Sequence, residues 1–315
     1  MPKIGSIIKS LRQKPRYTLM RGLGRFGIVR SSIAQARAVL QYSQVRKHIT
    51  KCNDCMRDTN FSGLDPKLFS EELNRKGVAF GMTLPAQTVR LIREWAETNN
   101  CYADRNPAHG FLLKDRAAAE DALGKPILVA QYFNTSTQCP AVAELLRDPF
   151  IQSLAAHYLG SMPTLAGTNL WWTFPVNASE ADRDRHAHLF HRDVDDFRFF
   201  KLFFYITDVN PGDGAHVCVS ESQCNPPLFK RGDQWNIRRY SDNEINNYYT
   251  KDRIHEICGP AGTGFAEDTL CIHKGLTPTH TPRLLLQIQY ALFDYGVMND
   301  RRISADLHNI TLDKA

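Results

Sequence analysis

The chain of 315 residues predicts an antiparallel β core backed by N-terminal helices, a mainly β fold with flanking helices. Three observations predict it. Up to Gly160 the apolar residues recur at helical spacing between helix-start and helix-stop signals. After Gly160 come short aromatic or β-branched runs bounded by Gly, Pro, Asn and Asp. An apolar content of 43% and a charged content of 23% suit a globular chain with a sizeable core, and no run approaches the ~18–20 apolar residues of a membrane span.

In chain order, residues 1–53 read as a basic helical arm. They hold twelve Lys and Arg and no Asp or Glu, leaving a net of −6 on the rest because the whole chain carries +6. Ile4, Ile7, Ile8 and Leu11 form a helical stripe that ends at Pro15, and a second helix starts near Ser31 or Ser32. Such an arm either packs on the domain or on a second subunit, or rests on an anionic membrane surface. Nucleic acid is not expected as a partner. The stretch "MPKIGSIIKSLRQK" lacks the apolar run and cleavage site of a secretory leader. The expected location is therefore the cytoplasm, with peripheral membrane contact as the alternative.

Residues 54–65 read as a linker within the Asn-, Asp-, Ser- and Gly-rich "CNDCMRDTNFSGLD". Asp65-Pro66 is an N-cap followed by proline at the first helical position, and Gly77 closes that helix. "PAQTVRLIREWAETNN", "CPAVAELLRD" and "PFIQSLAAHYLG" predict three more helices. Eight scattered cysteines without a second C-x-x-C suit reduced thiols.

The strands are "TNLWWTF", "KLFFYITDV", "AHVCVS", "TGFAEDTLCIH" and "RLLLQIQYALF". Alternate side chains of a strand face opposite sides of its sheet. One face of the second strand carries Lys201, Phe203, Tyr205 and Thr207; one face of the last carries Arg283, Leu285, Gln287 and Gln289. The opposite faces are apolar. Cationic and amide groups on an otherwise buried face imply a cavity for something polar and anionic. Trp171 and Trp172 are expected in the core.

The stretch "HLFHRDVDDF" sets two histidines and three carboxylates directly before a buried strand, which is costly unless something binds them. In an extended chain His191 and Asp193 point the same way, so both can meet one cation. The later histidines are 216, 255, 273, 280 and 308. His273 ends an apolar strand, whereas His280 sits in a Thr- and Pro-rich turn. Two histidines and one carboxylate on a ferrous ion leave open positions for a bidentate 2-oxo acid and O2. Arg283 offers a planar fork for a distal carboxylate. H-x-D by itself is also common as surface chemistry; Asp195 and Asp196 can be solvated loop acids, and His186 and His188 loop or supporting groups.

The joint pattern resembles the iron(II)/2-oxoglutarate dioxygenases, in particular the phytanoyl-CoA dioxygenase superfamily. It comprises "HRD", His273, Arg283 and the flanks "LFSEELNRKGVAF", "RDPFIQSLAAHYLG" and "YITDVNPGDGAHVCVSESQ". The resemblance covers residues 66–293 and leaves 294–315 as a C-terminal tail. It implies a double-stranded β-helix, the jelly roll of cupin-like proteins. It implies that His191, Asp193 and His273 hold Fe(II) and act in catalysis, and that Arg283 binds 2-oxoglutarate. Many relatives carry Ser two positions after the distal His; here that position is Gly275, so Thr277 or Thr281 would supply the hydroxyl. Lys201 is a further co-substrate or substrate contact. With Asp193 present, where related halogenases have a small residue, the resemblance favours hydroxylation, with desaturation and epoxidation open on the same iron.

The expected function is thus a dioxygenase hydroxylating a small polar metabolite, with 2-oxoglutarate converted to succinate and CO2. The alternatives are a membrane-associated hydroxylase of a lipid-linked glycan or glycolipid, and a non-catalytic jelly-roll module recruited to polyanions by its arm. Specificity is expected from residues 101–140 and 221–256, whose mixed charge suits a polar or anionic ligand.

Overall fold

The computed structural model describes residues 12–224 and 238–312. The predicted stripe over 4–11 and part of the 221–256 segment lie outside them. The helix starts and stops follow local chemistry. Asp65 caps the helix Pro66–Lys76 by accepting from the N–H groups of Lys67 and Leu68, at 2.8 and 2.9 Å. Gly77 closes it in the left-handed region at φ 75°, which costs a glycine little. Asp148 and Gly160 bracket Pro149–Leu159 in the same way.

Eleven strands are assigned among the described residues: β1 Val78–Thr83, β2 Asn100–Ala103, β3 Gly110–Leu112, β4 Val129–Gln131, β5 Thr164–Thr173, β6 Phe199–Tyr205, β7 His216–Val219, β8 Ile254–Ile257, β9 Thr263–Glu267, β10 Ile272–Gly275 and β11 Arg283–Ala291. Eight form one sheet in the order β1-β9-β6-β11-β5-β4-β2-β3, and three form a second in the order β10-β7-β8. Every pairing is antiparallel. The predicted alternation holds on β6 and β11. Leu202, Phe204, Leu284, Leu286 and Ile288 pack beneath the helices with Phe150 and Leu154. Phe203, Tyr205 and Leu285 face the other way, in the layer toward the small sheet.

Several expectations are corrected. Helices do not all precede strands: β1 to β4 lie before Gly160 and join the large sheet, because strands of three to six residues leave too short a pattern to read. "TGFAEDTLCIH" is two strands in different sheets, divided by a turn. The second helix begins at Gly27 and runs to Asp54. It lies along Pro149–Leu159, Gln41 Oε1 accepts from the Met162 N–H at 3.0 Å, and Arg37 stacks over Phe293 at 4.4 Å. Met20 of the preceding helix, Pro15–Leu23, is buried in the main core. Residues 54–65 are anchored as well, since Thr59 and Asn60 donate to Asp148 and Phe61 is buried. No described helix is long and apolar enough to cross a membrane.

Candidate metal centre and its cavity

A cavity of about 380 Å³ opens between the two sheets. At one side His191 and His273 pair through an isolated antiparallel bridge, each N–H donating to the other's carbonyl at 2.9 Å. Residues opposed in this way project to the same face, and the rings lie 4.3 Å apart, centroid to centroid. Asp193 is irregular backbone, held by its N–H donating to the Thr269 carbonyl at 2.8 Å. Its Oδ1 is 3.7 Å from His191 Nε2 and its Oδ2 is 3.5 Å from His273 Nε2. Ligand atoms of the three residues all lie within 4.8 Å of one another.

The histidines' other nitrogens show that this is a donor set suited to a cation. His191 Nδ1 is 2.8 Å from the Leu189 carbonyl, and His273 Nδ1 is 2.9 Å from that of Cys271. A carbonyl only accepts, so each Nδ1 carries a proton and each Nε2 faces the cluster. Burial opposes charge on His273, but Glu267 and then Asp193 raise its pKa, so a bound cation would displace a proton from its Nε2. Burial, followed by the neighbouring His273, pulls the His191 pKa well below its usual value. Burial opposes charge on Asp193, but Lys201 and then His273 outweigh it and hold the carboxyl well below the usual range. His273 also has Glu267 Oε1 at 3.7 Å from its Nδ1. Glu267 in turn bonds His216 Nε2 at 2.6 Å, and the His216 ring stacks on that of His273.

Lys201 lines the cavity, yet its ammonium is engaged by protein. Its Nζ is 2.6 Å from Asp193 Oδ2 and 3.0 Å from Asp195 Oδ2. Asp195 is therefore a buried partner of Lys201, not a solvated loop acid. Arg283 opens β11 and is buried on the cavity wall. Its Nη1 donates to the Gly214 carbonyl, its Nη2 to Thr173 Oγ1 at 3.3 Å, and its Nε has no partner among the described residues.

The structure brings His191, Asp193, His273, Lys201 and Arg283 to one cavity and leaves Thr281 outside it. Thr281 is exposed, and its backbone N–H donates to Asp213 Oδ1. The hydroxyl beside Arg283 belongs to Thr173, its partner in the β11–β5 register. Thr277 serves His188, whose Nδ1 lies 2.8 Å from Thr277 Oγ1. Of the other candidate ligands, His216 lines the cavity behind His273, while His255 bonds Ser220 and His280 is exposed. Among the amide and aromatic groups, Gln287 and Trp171 line the cavity. Gln289, Tyr205 and Trp172 are core groups; the Tyr205 hydroxyl is satisfied by Ile257 and His216.

The tail also contributes. Val297, Met298, Asn299 and Arg302 form one wall of the cavity. Met298 is seated by its carbonyl accepting from Asn169 Nδ2 at 3.1 Å, beside Gly167, where any side chain would collide with it. Residues after Asp294 carry no strand or helix pattern in the sequence that would announce this.

No family model and no curated relative matches the chain. Solved structures do. HygX from Streptomyces hygroscopicus, with nickel, 2-oxoglutarate and hygromycin B bound, is 12% identical over 78% of this chain and 96% of its own, with a TM-score of 0.51. AviO1 from Streptomyces viridochromogenes Tue57 is 14% identical over 73% and 96%, with a TM-score of 0.47. The non-heme alpha ketoglutarate dependent epimerase SnoN from nogalamycin biosynthesis is 14% identical over 73% and 82%, with a TM-score of 0.45. Two antiparallel sheets enclosing a cavity, together with the HygX match, establish a double-stranded β-helix-like fold for the chain.

Proposed function

We propose that the protein is an Fe(II)- and 2-oxoglutarate-dependent dioxygenase that hydroxylates a small polar molecule. The observation that carries this reading is the convergence of His191 Nε2, His273 Nε2 and the Asp193 carboxylate in a cavity that also holds Arg283. HygX, the match with the higher TM-score, holds nickel and 2-oxoglutarate. Iron bound by these three residues would supply O2 activation coupled to oxidative decarboxylation of 2-oxoglutarate to succinate and CO2.

The chain's own residues do the remaining work. The Leu189 and Cys271 carbonyls fix both imidazoles in the tautomer that offers Nε2. Arg283 is anchored through Gly214 and Thr173, so its guanidinium is held ready for the distal carboxylate of 2-oxoglutarate. Phe203, Leu285 and Trp171 give the cavity an apolar wall on the side of the large sheet, which strengthens the ionic contacts beside it. The carboxylate at position 193 favours hydroxylation over halogenation.

The test is anaerobic loading with Fe(II), addition of 2-oxoglutarate with spectroscopic readout, then exposure to air with assay of succinate. The expected result is stoichiometric 2-oxoglutarate binding that His273→Ala abolishes and Arg283→Gln weakens. A wild-type protein that binds neither iron nor 2-oxoglutarate would refute the proposal.

A second reading places the substrate on a membrane. Leu19, Leu23, Phe26 and Ile28 are exposed, the last by 83%, within the stretch that has basic but no acidic residues. Apolar side chains among cations suit an anionic bilayer surface. Pelleting with vesicles of anionic lipid at low salt, lost on Leu19→Glu/Ile28→Glu, is its test; equal pelleting of both proteins speaks against it.

A further inference from the structure

We infer that Arg105 and Arg302 form a clamp for an oxyanion, carboxylate or phosphate, carried by the substrate. The inference rests on the oxygenase reading for the word substrate; the clamp itself rests on charge and geometry. Four cationic side chains line the cavity, Arg105, Lys201, Arg283 and Arg302, against a single carboxylate, Asp193, among the described lining residues. Lys201 is neutralised by Asp193 and Asp195. Arg283 is the group assigned above to 2-oxoglutarate. Two guanidiniums remain without a carboxylate among the described residues, and their charges add at the cavity wall.

Both are held in place by the backbone around them. Arg105 follows β2 in a turn where Asp104 and Arg105 both take positive φ, 53° and 61°, an uncommon conformation for residues with side chains. The Asp104 carboxylate is occupied by Lys125 and lies 3.5 Å from His186 Nε2, so it does not quench its neighbour. The Arg105 guanidinium lies over the Trp171 ring at 5.9 Å. Arg302 is pinned from the other side. Asn134, itself at φ 58°, accepts from the Arg302 N–H and donates to its carbonyl, both at 2.9 Å. The Arg302 guanidinium stacks on Phe133 at 4.8 Å. Arg302 Nη1 donates to the Arg301 carbonyl at 2.6 Å, which together with the ring contact fixes the guanidinium and leaves its remaining N–H groups for a carboxylate or phosphate. Gln131 and Gln287 line the same cavity; Gln131 Nε2 donates to Asn169 Oδ1 at 3.0 Å, which leaves the Gln131 carbonyl oxygen and the Gln287 amide to a polar substrate body.

The experiment is calorimetric titration of metal-free protein with inorganic phosphate and, separately, with acetate. Wild type, Arg105→Gln, Arg302→Gln and Arg283→Gln are compared. Both clamp residues are exposed, so their variants are expected to fold, and thermal melting checks this. Arg105→Gln and Arg302→Gln should each weaken phosphate binding by about tenfold or more, the effect of removing a charge-assisted pair, a larger loss than Arg283→Gln gives. Tighter binding of phosphate than of acetate assigns a phosphate ester, and the reverse a carboxylate. No binding to wild type, or loss only in Arg283→Gln, overturns the clamp. In parallel, 2-oxoglutarate is titrated into Mn(II)-loaded protein, where the clamp variants should match wild type. Failure of that titration in wild type sinks the oxygenase reading and leaves the clamp result standing.

Discussion

His191 and His273 hold each other in register: two backbone hydrogen bonds of 2.9 Å join them across the small sheet's edge, and their rings meet at 4.3 Å. Metal binding should depend on both. Alanine at either position is expected to weaken Mn(II) or Co(II) binding by about a hundredfold or more, at least the upper end of what loss of an outer-shell partner costs. Calorimetry of the two variants checks this; near-wild-type affinity in either one would remove that residue from the site.

Lys201 compensates two carboxylates, the partly buried Asp193 and the buried Asp195. Lys201→Met leaves them facing each other. Breaking such a buried arrangement by removing one partner costs roughly 3–5 kcal/mol, so the metal-free variant should be far less stable. A divalent cation at Asp193 would relieve the repulsion. Saturating Mn(II) should therefore raise the melting temperature more in Lys201→Met than in wild type, and an equal or smaller rise would argue against a cation bound by Asp193.

His188 makes stability depend on pH. Burial first, and then Arg283, lower its pKa from 6.5 to about 3 in the fold. In the unfolded chain it returns to the ordinary value, so between 6.5 and about 3 the unfolded state binds the extra proton. Stability contributed by the neutral ring is present above pH 6.5 and is lost as pH falls through this window, with a limiting slope of about 1.4 kcal/mol per pH unit. Denaturant unfolding of metal-free protein from pH 7 to pH 4 should show a shallower loss in His188→Gln. Parallel curves would refute the assignment.

Asp148 joins the segment after the long N-terminal helix to the main domain. Oδ1 accepts from Thr59 Oγ1 at 2.7 Å and Phe150 N at 2.9 Å, and Oδ2 from Asn60 N at 2.7 Å. Asp148→Ala removes a helix cap and strands buried donors, an expected loss of roughly 2–4 kcal/mol. Chemical denaturation measures it. Metal affinity of the folded variant should be unchanged, because Asp148 does not line the cavity.

Part of this site was legible without coordinates. The alternation in "KLFFYITDV" and "RLLLQIQYALF" put Lys201, Phe203, Arg283, Leu285 and Gln287 on one face, and all five line the cavity. Side-chain parity is a property of two successive peptide units, so it survives whatever the strand later pairs with. The candidate ligands were legible for a similar reason: His191 and Asp193 are two residues apart, and His273 follows an apolar run, although it is the second residue of β10 and not the end of a strand. Thr281 shows the limit. It lies two residues from Arg283, but the hydroxyl that reaches the guanidinium is Thr173, 110 residues away. Nearness in sequence does not order side chains across a sheet.

The amino-acid sequence alone determined where helices stop, which faces of β6 and β11 are apolar, and which residue types could bind a cation, since these depend on spacing over a few residues. Only the tertiary structure decided which strands are neighbours, that Lys201 answers Asp193 and Asp195, and that Met298 and Arg302 wall the cavity with Arg105. The physical reason is that such contacts follow from register between distant segments, and local pattern carries no record of register.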